Sequence, residues 1–265
     1  MYSPVQLGFK YLRYYITASN GKGHGVHSPF VFSFITQVLN DQRQFYAYSQ
    51  LEALRKDLLS DHREITLEDF GAGSRIKKDN VRKLSSIAAT SLKPAKFSQL
   101  LFRIADHFKP SVILELGTSL GITTSYLASA NPAARITTME GASAVAAVAK
   151  NNFSKLGLGN IRVVEGNFDH TLAETLTTIP LIDLAFLDGN HRYEPTVRYF
   201  RQILPHLQEH SIVILDDIHW SAEMEQAWDE VRGMEEVTLS IDLFFIGIVF
   251  FRKEQKEKQH FSIRF

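Results

Sequence analysis

The spacing of apolar positions changes character near residue 110. Ahead of that point, apolar side chains recur at helical intervals. Tyr11, Leu12, Tyr15 and Ile16 mark a first helix. Phe30, Phe34 and Val38 mark a second, which Pro29 is well placed to start. Leu51, Leu54, Leu58 and Leu59 mark a third. Between the first two lies GKGHGVHSP, a glycine- and histidine-rich loop. The polar stretch Gly71–Lys83 holds five lysines and arginines, and Phe97–Phe108 then resumes helical spacing.

Past residue 110 come short, continuous apolar runs: VILEL (112–116), ITTM (136–139), IRVV (161–164), DLAFL (183–187) and SIVIL (211–215). Such runs suit strands covered on both faces, as in a parallel sheet. Helical patterns separate them. Val145, Val148, Ala149, Asn152 and Leu156 share a face behind Ser143, a candidate N-cap. Val197, Phe200, Ile203, Leu204 and Leu207 share another, with Pro195 near the start, and Met224, Ala227, Trp228 and Val231 a third. The alternation predicts an open α/β sheet with right-handed crossovers. VTLSIDLF (237–244) and GIVFFR (247–252) leave no room for a crossover helix and must pair antiparallel. The expected fold is α/β: a Rossmann-like, mostly parallel seven-stranded sheet with a C-terminal antiparallel hairpin. Residues 1–96 form a helical N-terminal cap over the carboxyl edge of the sheet, and residues 97–265 the sheet domain.

Composition narrows the partners. Apolar residues make up 45% of the 265, enough for a sizeable core. Lysine plus arginine and aspartate plus glutamate stand at 29 each, which argues against a nucleic-acid partner. There is no cysteine, so disulfides and thiolate metal sites are excluded. The opening residues, MYSPVQLGFKYLRYYI, lack the plan of a signal peptide. The longest apolar run, Leu243–Phe251, falls far short of the roughly 20 residues that span a bilayer. A cytoplasmic protein with a small-molecule partner and no membrane is expected, and a homodimer is open to it.

In open α/β sheets, ligands bind beyond the carboxyl ends of the strands. The first strand runs into Glu115-Leu-Gly117-Thr118-Ser119-Leu-Gly121. Two glycines four apart allow a tight turn and close approach of a ligand to the backbone. The pyrophosphate-binding pattern G-x-G-x-x-G is broken, because Ser119 fills the place of its second glycine. An ordinary strand-to-helix turn would read the same way. Glu140, 23 positions after Gly117 and at the next strand's end, is placed to accept from both hydroxyls of a ribose. An exposed glutamate ahead of a helix is its plainer reading. The third strand ends in Glu165-Gly166-Asn167-Phe168, where a glycine, an amide and an aromatic ring could flank an adenine.

ILELGTSLGITTSYLA followed by TTMEG resembles the class I S-adenosylmethionine-dependent methyltransferases. The subgroup it is most similar to is the O-methyltransferases related to catechol O-methyltransferase and the macrocin-type sugar enzymes. The resemblance covers about residues 97 to 252 and includes the helix SQLLFRIADHF. It implies S-adenosylmethionine as methyl donor. Glu115, Gly117, Thr118, Ser119, Gly121 and Thr123 would surround its methionine half, Glu140 its ribose, and Gly166, Asn167 and Phe168 its base, with Asp188 beside it.

A second constellation follows the fourth and fifth strands: Asp188-Gly-Asn190-His191 and Asp216-Asp217-Ile-His219-Trp220. Adjacent strands lie ~4.8 Å apart. Asp188, Asp216 and Asp217 would therefore crowd at one edge unless a hard divalent cation such as magnesium relieved them. The alternative is that Asp216 and Asp217 cap the helix near Ser221 while Asp188 touches the donor. The resembling enzymes bind such a metal with acids here. Where the catechol enzyme has asparagine and a catalytic lysine, this chain has Asp217 and His191, which points toward the macrocin-like branch. His191 is the expected catalytic base beside Asp188, with His219 its competitor. Two other readings compete: a nicotinamide-dependent oxidoreductase, disfavoured by Ser119 and the hairpin, and a non-catalytic S-adenosylmethionine-binding protein. Asp69-Phe-Gly71-Ala-Gly73-Ser74 imitates a nucleotide loop, but Arg75, Lys77, Lys78 and Asp79 follow where an apolar helix face is needed. It reads as a surface loop, or as a nest of amides for an anionic part of the acceptor. His24 and His27 read as loop residues.

Overall fold

The computed structural model describes residues 1–67, 81–254 and 257–265. Its helices are α1 (Pro4–Thr17), α2 (Pro29–Phe34), α3 (Tyr48–Leu59), α4 (Leu84–Ser91), α5 (Ala95–Phe108), α6 (Ile122–Ala130), α7 (Ser143–Lys155), α8 (Phe168–Thr177), α9 (Tyr193–Ile203) and α10 (Ala222–Gly233). Its strands are β1 (Glu64–Thr66), β2 (Val81–Lys83), β3 (Val112–Leu116), β4 (Arg135–Glu140), β5 (Ile161–Glu165), β6 (Ile182–Leu187), β7 (Leu207–Asp216), β8 (Leu239–Asp242), β9 (Ile246–Phe250) and β10 (Gln259–Ser262). Among the described residues the central sheet is mostly parallel and has eight strands, while β1 and β2 form a separate antiparallel pair. Contacts divide the chain into two units: Met1–Asp41 with Leu176–Phe265, and Gln42–Thr175. No helix among the described residues is long and apolar enough to cross a membrane.

In the unit Gln42–Thr175, β3, β4 and β5 lie side by side and parallel. The register Leu116↔Met139 and Glu140↔Glu165 brings the carboxyl ends of the three strands level. Ile113, Leu114 and Leu116 are buried, as an apolar run between two layers requires. Phe97, Leu100, Leu101 and Ile104 give α5 its buried stripe. The helix ends at Lys109, whose left-handed φ of 50° turns the chain into β3. Leu51, Leu54 and Leu58 of α3 are buried as their spacing predicts, while Leu59 is exposed. Tyr48 of α3 meets Phe102 edge-on and Tyr126 at a tilt, with ring centroids 5.2 and 5.7 Å apart.

In the other unit the strand order is β10-β8-β9-β7-β6. β6 and β7 are parallel, and β9 runs antiparallel to both β7 and β8. The C-terminal hairpin is therefore present. Its turn places Phe244 at φ 71°, with the Leu243 N–H donating to Ile246 O. The sheet has one strand more than the seven expected, because β10 adds in parallel to β8 at the edge. QHFS carries no apolar run, so its sequence does not announce a strand. Helix α1 starts on a capping box, in which Ser3 and Gln6 satisfy each other's backbone N–H groups behind Pro4. Its Tyr14, followed by Ala18, packs on Phe244, and the Tyr2 N–H donates to Trp220 O in the segment that leaves β7.

Candidate functional site

The loop after β3 is built by hydrogen bonds that its own residue types permit. The N–H groups of Gly117 and Thr118 both donate to Met139 O at 3.0 Å, pinning the loop to the end of β4. Gly117, Ser119 and Gly121 take φ of 105°, 48° and 81°. At Gly121 a Cβ would stand 2.5 Å from Phe153 Cε1, so glycine is required there for space and for conformation. Thr118 and Thr138 hydroxyls meet at 2.6 Å. Thr123, in the first turn of α6, is half-buried.

Glu140 sits at the centre of this loop. Its Oε2 accepts from the Ser119 N–H at 2.8 Å and its Oε1 from the Ala142 N–H at 2.9 Å. Each carboxylate oxygen keeps a further lone pair for another donor, as two vicinal hydroxyls would supply. A Cβ added at the neighbouring Gly141 would find nothing within 4 Å. The Gly166 N–H donates to Glu140 O, which brings half-buried Gly166, Asn167 and Phe168 to the same strand ends. The residues read from these three strands thus come together, and Glu140 offers the acceptors that the ribose of an adenosyl group calls for.

Glu115 stands differently. Its carboxyl is fully enclosed in the core, accepting from the Thr124 and Thr138 hydroxyls. Burial pushes it up to about 7, although those two hydroxyls pull it down. It braces β3, β4 and α6 from inside, which spacing alone could not show. The sequence reading also passed over Ser91, at the end of α4, whose Oγ lies 2.8 Å from Ser119 Oγ. No pattern around Ser91 would have marked it.

The second constellation follows β6 and β7. Asn190, at φ 65°, bends the chain after Asp188. This returns His191 Nε2 to 3.5 Å from Asp188 Oδ1, both half-buried. Asp216 is buried at the end of β7, and Asp217 takes φ 53° with its N–H donating to Phe245 O at 2.7 Å. Helix α10 is capped by the Ser221 hydroxyl, which accepts from the Met224 N–H, so the cap does not need the two aspartates. Among the described residues no three His, Asp or Glu side chains gather closely enough to hold a metal ion. Asp188, Asp216 and Asp217 therefore do not fit a resident cation as they are placed.

His219 is engaged elsewhere. Its Nδ1 lies 2.9 Å from Glu225 Oε1, its Nε2 lies 2.9 Å from Asp242 Oδ2, and its ring stacks on Phe244. Burial lowers the imidazole's affinity for a proton, but Asp242 and then Glu225 more than offset it, and the result is raised. With both nitrogens committed to carboxylates, the ring is a strut between α10 and β8. Glu225 also accepts from Tyr2 OH at 2.7 Å and from Lys10 Nζ at 2.9 Å. The glycine-rich imitation at Asp69–Ser74 lies outside the described residues.

Residues 114–218 match the protein family described as a methyltransferase domain. No curated protein matches the chain. Among solved structures, the SAH-bound Podospora anserina methyltransferase PaMTH1 is similar at 15% identity, covering 85% of this chain and 97% of that one, with a TM-score of 0.59. The Bacillus cereus O-methyltransferase in complex with SAH covers 83% and 97% at 15% identity and a TM-score of 0.55. TomG of Streptomyces achromogenes, an O-methyltransferase involved in tomaymycin synthesis and seen with SAM, covers 61% and 82% at 20% identity and a TM-score of 0.53. The family match thus describes residues 114–218 as a methyltransferase domain, and the solved methyltransferases share the fold of the chain.

Proposed function

We propose that the chain transfers the methyl group of S-adenosylmethionine to a hydroxyl oxygen of a small acceptor. The observation that carries this reading is the locked Glu140, held by the Ser119 and Ala142 N–H groups beside the Gly117–Gly121 turn. The solved O-methyltransferases of this fold support the choice of oxygen. Glu140 accepts from the ribose hydroxyls, Gly166–Phe168 flank the adenine, and Gly117–Ser119 with Thr123 face the methionine portion. The donor supplies an electrophilic methyl on a sulfonium. As the oxygen–methyl bond forms and the sulfur–methyl bond breaks, the hydroxyl proton passes to His191. Asp188 orients that ring and offsets the charge it gains. Residues 1–96 shape the acceptor's binding surface in this reading.

Because the three aspartates do not gather, no step is routed through magnesium. The test is transfer of labelled methyl to a panel of phenolic and sugar hydroxyl acceptors, with and without excess chelator. Transfer that survives chelation and is lost in His191→Gln, with donor affinity unchanged, is the expected result. Loss on chelation with recovery in magnesium would show Asp188, Asp216 and Asp217 closing on a cation. Normal turnover in His191→Gln would remove it as the base.

A further inference from the structure

Helix α1 has two apolar faces. The inner one is used: Tyr11 meets Phe244 edge-on at 5.1 Å, and Tyr14 and Leu7 join the same cluster. The outer one lies open. Val5, Phe9 and Ile16 are 68%, 69% and 67% exposed, and Leu12 and Tyr15 are exposed beside them. Positions 5, 9, 12 and 16 fall in one row on a helix. A Cβ built at Gly8, beside this row, meets nothing within 4 Å, so the stripe carries a notch.

We infer that this stripe pairs with the same stripe of a second copy of the chain. Three observations select that occupant. A two-fold interface sets each patch against itself, so any charge in it would face its own copy. Val5, Gly8, Phe9, Leu12, Tyr15 and Ile16 include none, and the Arg264 guanidinium, 5.1 Å from the Tyr15 ring centroid, stands at one edge. The five large side chains offer on the order of 600 Å² per copy, which matches the low end of specific protein interfaces. A lipid surface would instead call for basic residues free on the flanks. Of the two basic residues of α1, Lys10 is held by Glu225 at 2.9 Å, which leaves Arg13 as a single flanking cation. An antiparallel crossing opposes Val5 to Ile16 and Phe9 to Leu12, and the notch at Gly8 lets the helices approach.

The experiment is sedimentation velocity on the whole chain from low to high micromolar concentration. Phe9→Glu and Gly8→Asp are run beside it, with melting temperature recorded for each. The Cβ that Gly8→Asp adds meets nothing within 4 Å, so the substitution charges the stripe from an open position. Dimers in the wild type, with dissociation at least ten-fold easier in both variants and unchanged melting, support the inference. A wild type monomeric at every concentration, or a dimer indifferent to both substitutions, overturns it. So does a monomer that floats with phosphatidylserine-containing vesicles and loses that binding in the variants.

Discussion

Glu115 carries its proton to unusually high pH because the core around it cannot solvate a carboxylate, and burial raises it to about 7. An acid whose folded value lies above its unfolded one stabilises the fold while protonated. Stability is therefore full below the unfolded value near ~4.3 and falls as pH rises toward 7. Glu115→Gln keeps an oxygen for Thr124 and Thr138 and removes the titration. Its melting temperature should be flatter than the wild type's between those limits, and an unchanged slope would mean that Glu115 ionises as an ordinary acid. His219 adds a second, higher window. Its raised imidazole contributes stability that is complete below the unfolded value near ~6.5 and lost as pH climbs through the folded one. His219→Gln should melt lower than the wild type at pH 6 and lose that difference on the alkaline side. A pH-independent deficit would show that packing on Phe244, rather than charge, is what His219 supplies. The same substitution should leave donor affinity unaltered, since both ring nitrogens face Glu225 and Asp242.

One turn and one strand depend on glycine. At Gly121 a side chain must adopt φ 81° and displace Phe153. At Gly247 of β9 a Cβ would stand 2.6 Å from Trp228 Cζ3. Overpacking of this kind typically costs 1–3 kcal/mol, and the left-handed conformation adds roughly 1 at Gly121. Gly121→Ala should therefore lose about 2–4 kcal/mol in urea unfolding and Gly247→Ala about 1–3. Stability within about 0.5 kcal/mol of the wild type in either would mean that the neighbouring ring yields freely. The elements that were legible in the sequence are those with a strong period. VILEL, SIVIL and the adjoining runs near 240 and 249 announced β3, β7, β8 and β9 because continuous apolar stretches have few other uses. β10 was silent because an edge strand needs no apolar alternation. The site was legible where chemistry sits next to a strand end, as at Gly117 and Glu140. It was illegible where a contact is made across the chain, as between His219 and Asp242 or Ser119 and Ser91.

At the scale of the whole molecule, the residues proposed to face the donor belong to Gln42–Thr175, apart from Asp188, while Asp188, His191 and the Asp216–Asp217 pair belong to the unit that also contains α1. The family match from 114 to 218 spans residues of both. The central claim is that the loop around Glu140 binds an adenosyl donor, and titration calorimetry with S-adenosylhomocysteine tests it most directly, with NAD as the comparison ligand. The account predicts saturable binding of the first, none of the second, and a loss of roughly 1.5–3 kcal/mol per hydrogen bond removed in Glu140→Ala. Equal affinity in wild type and Glu140→Ala, or binding of NAD in place of S-adenosylhomocysteine, would contradict it.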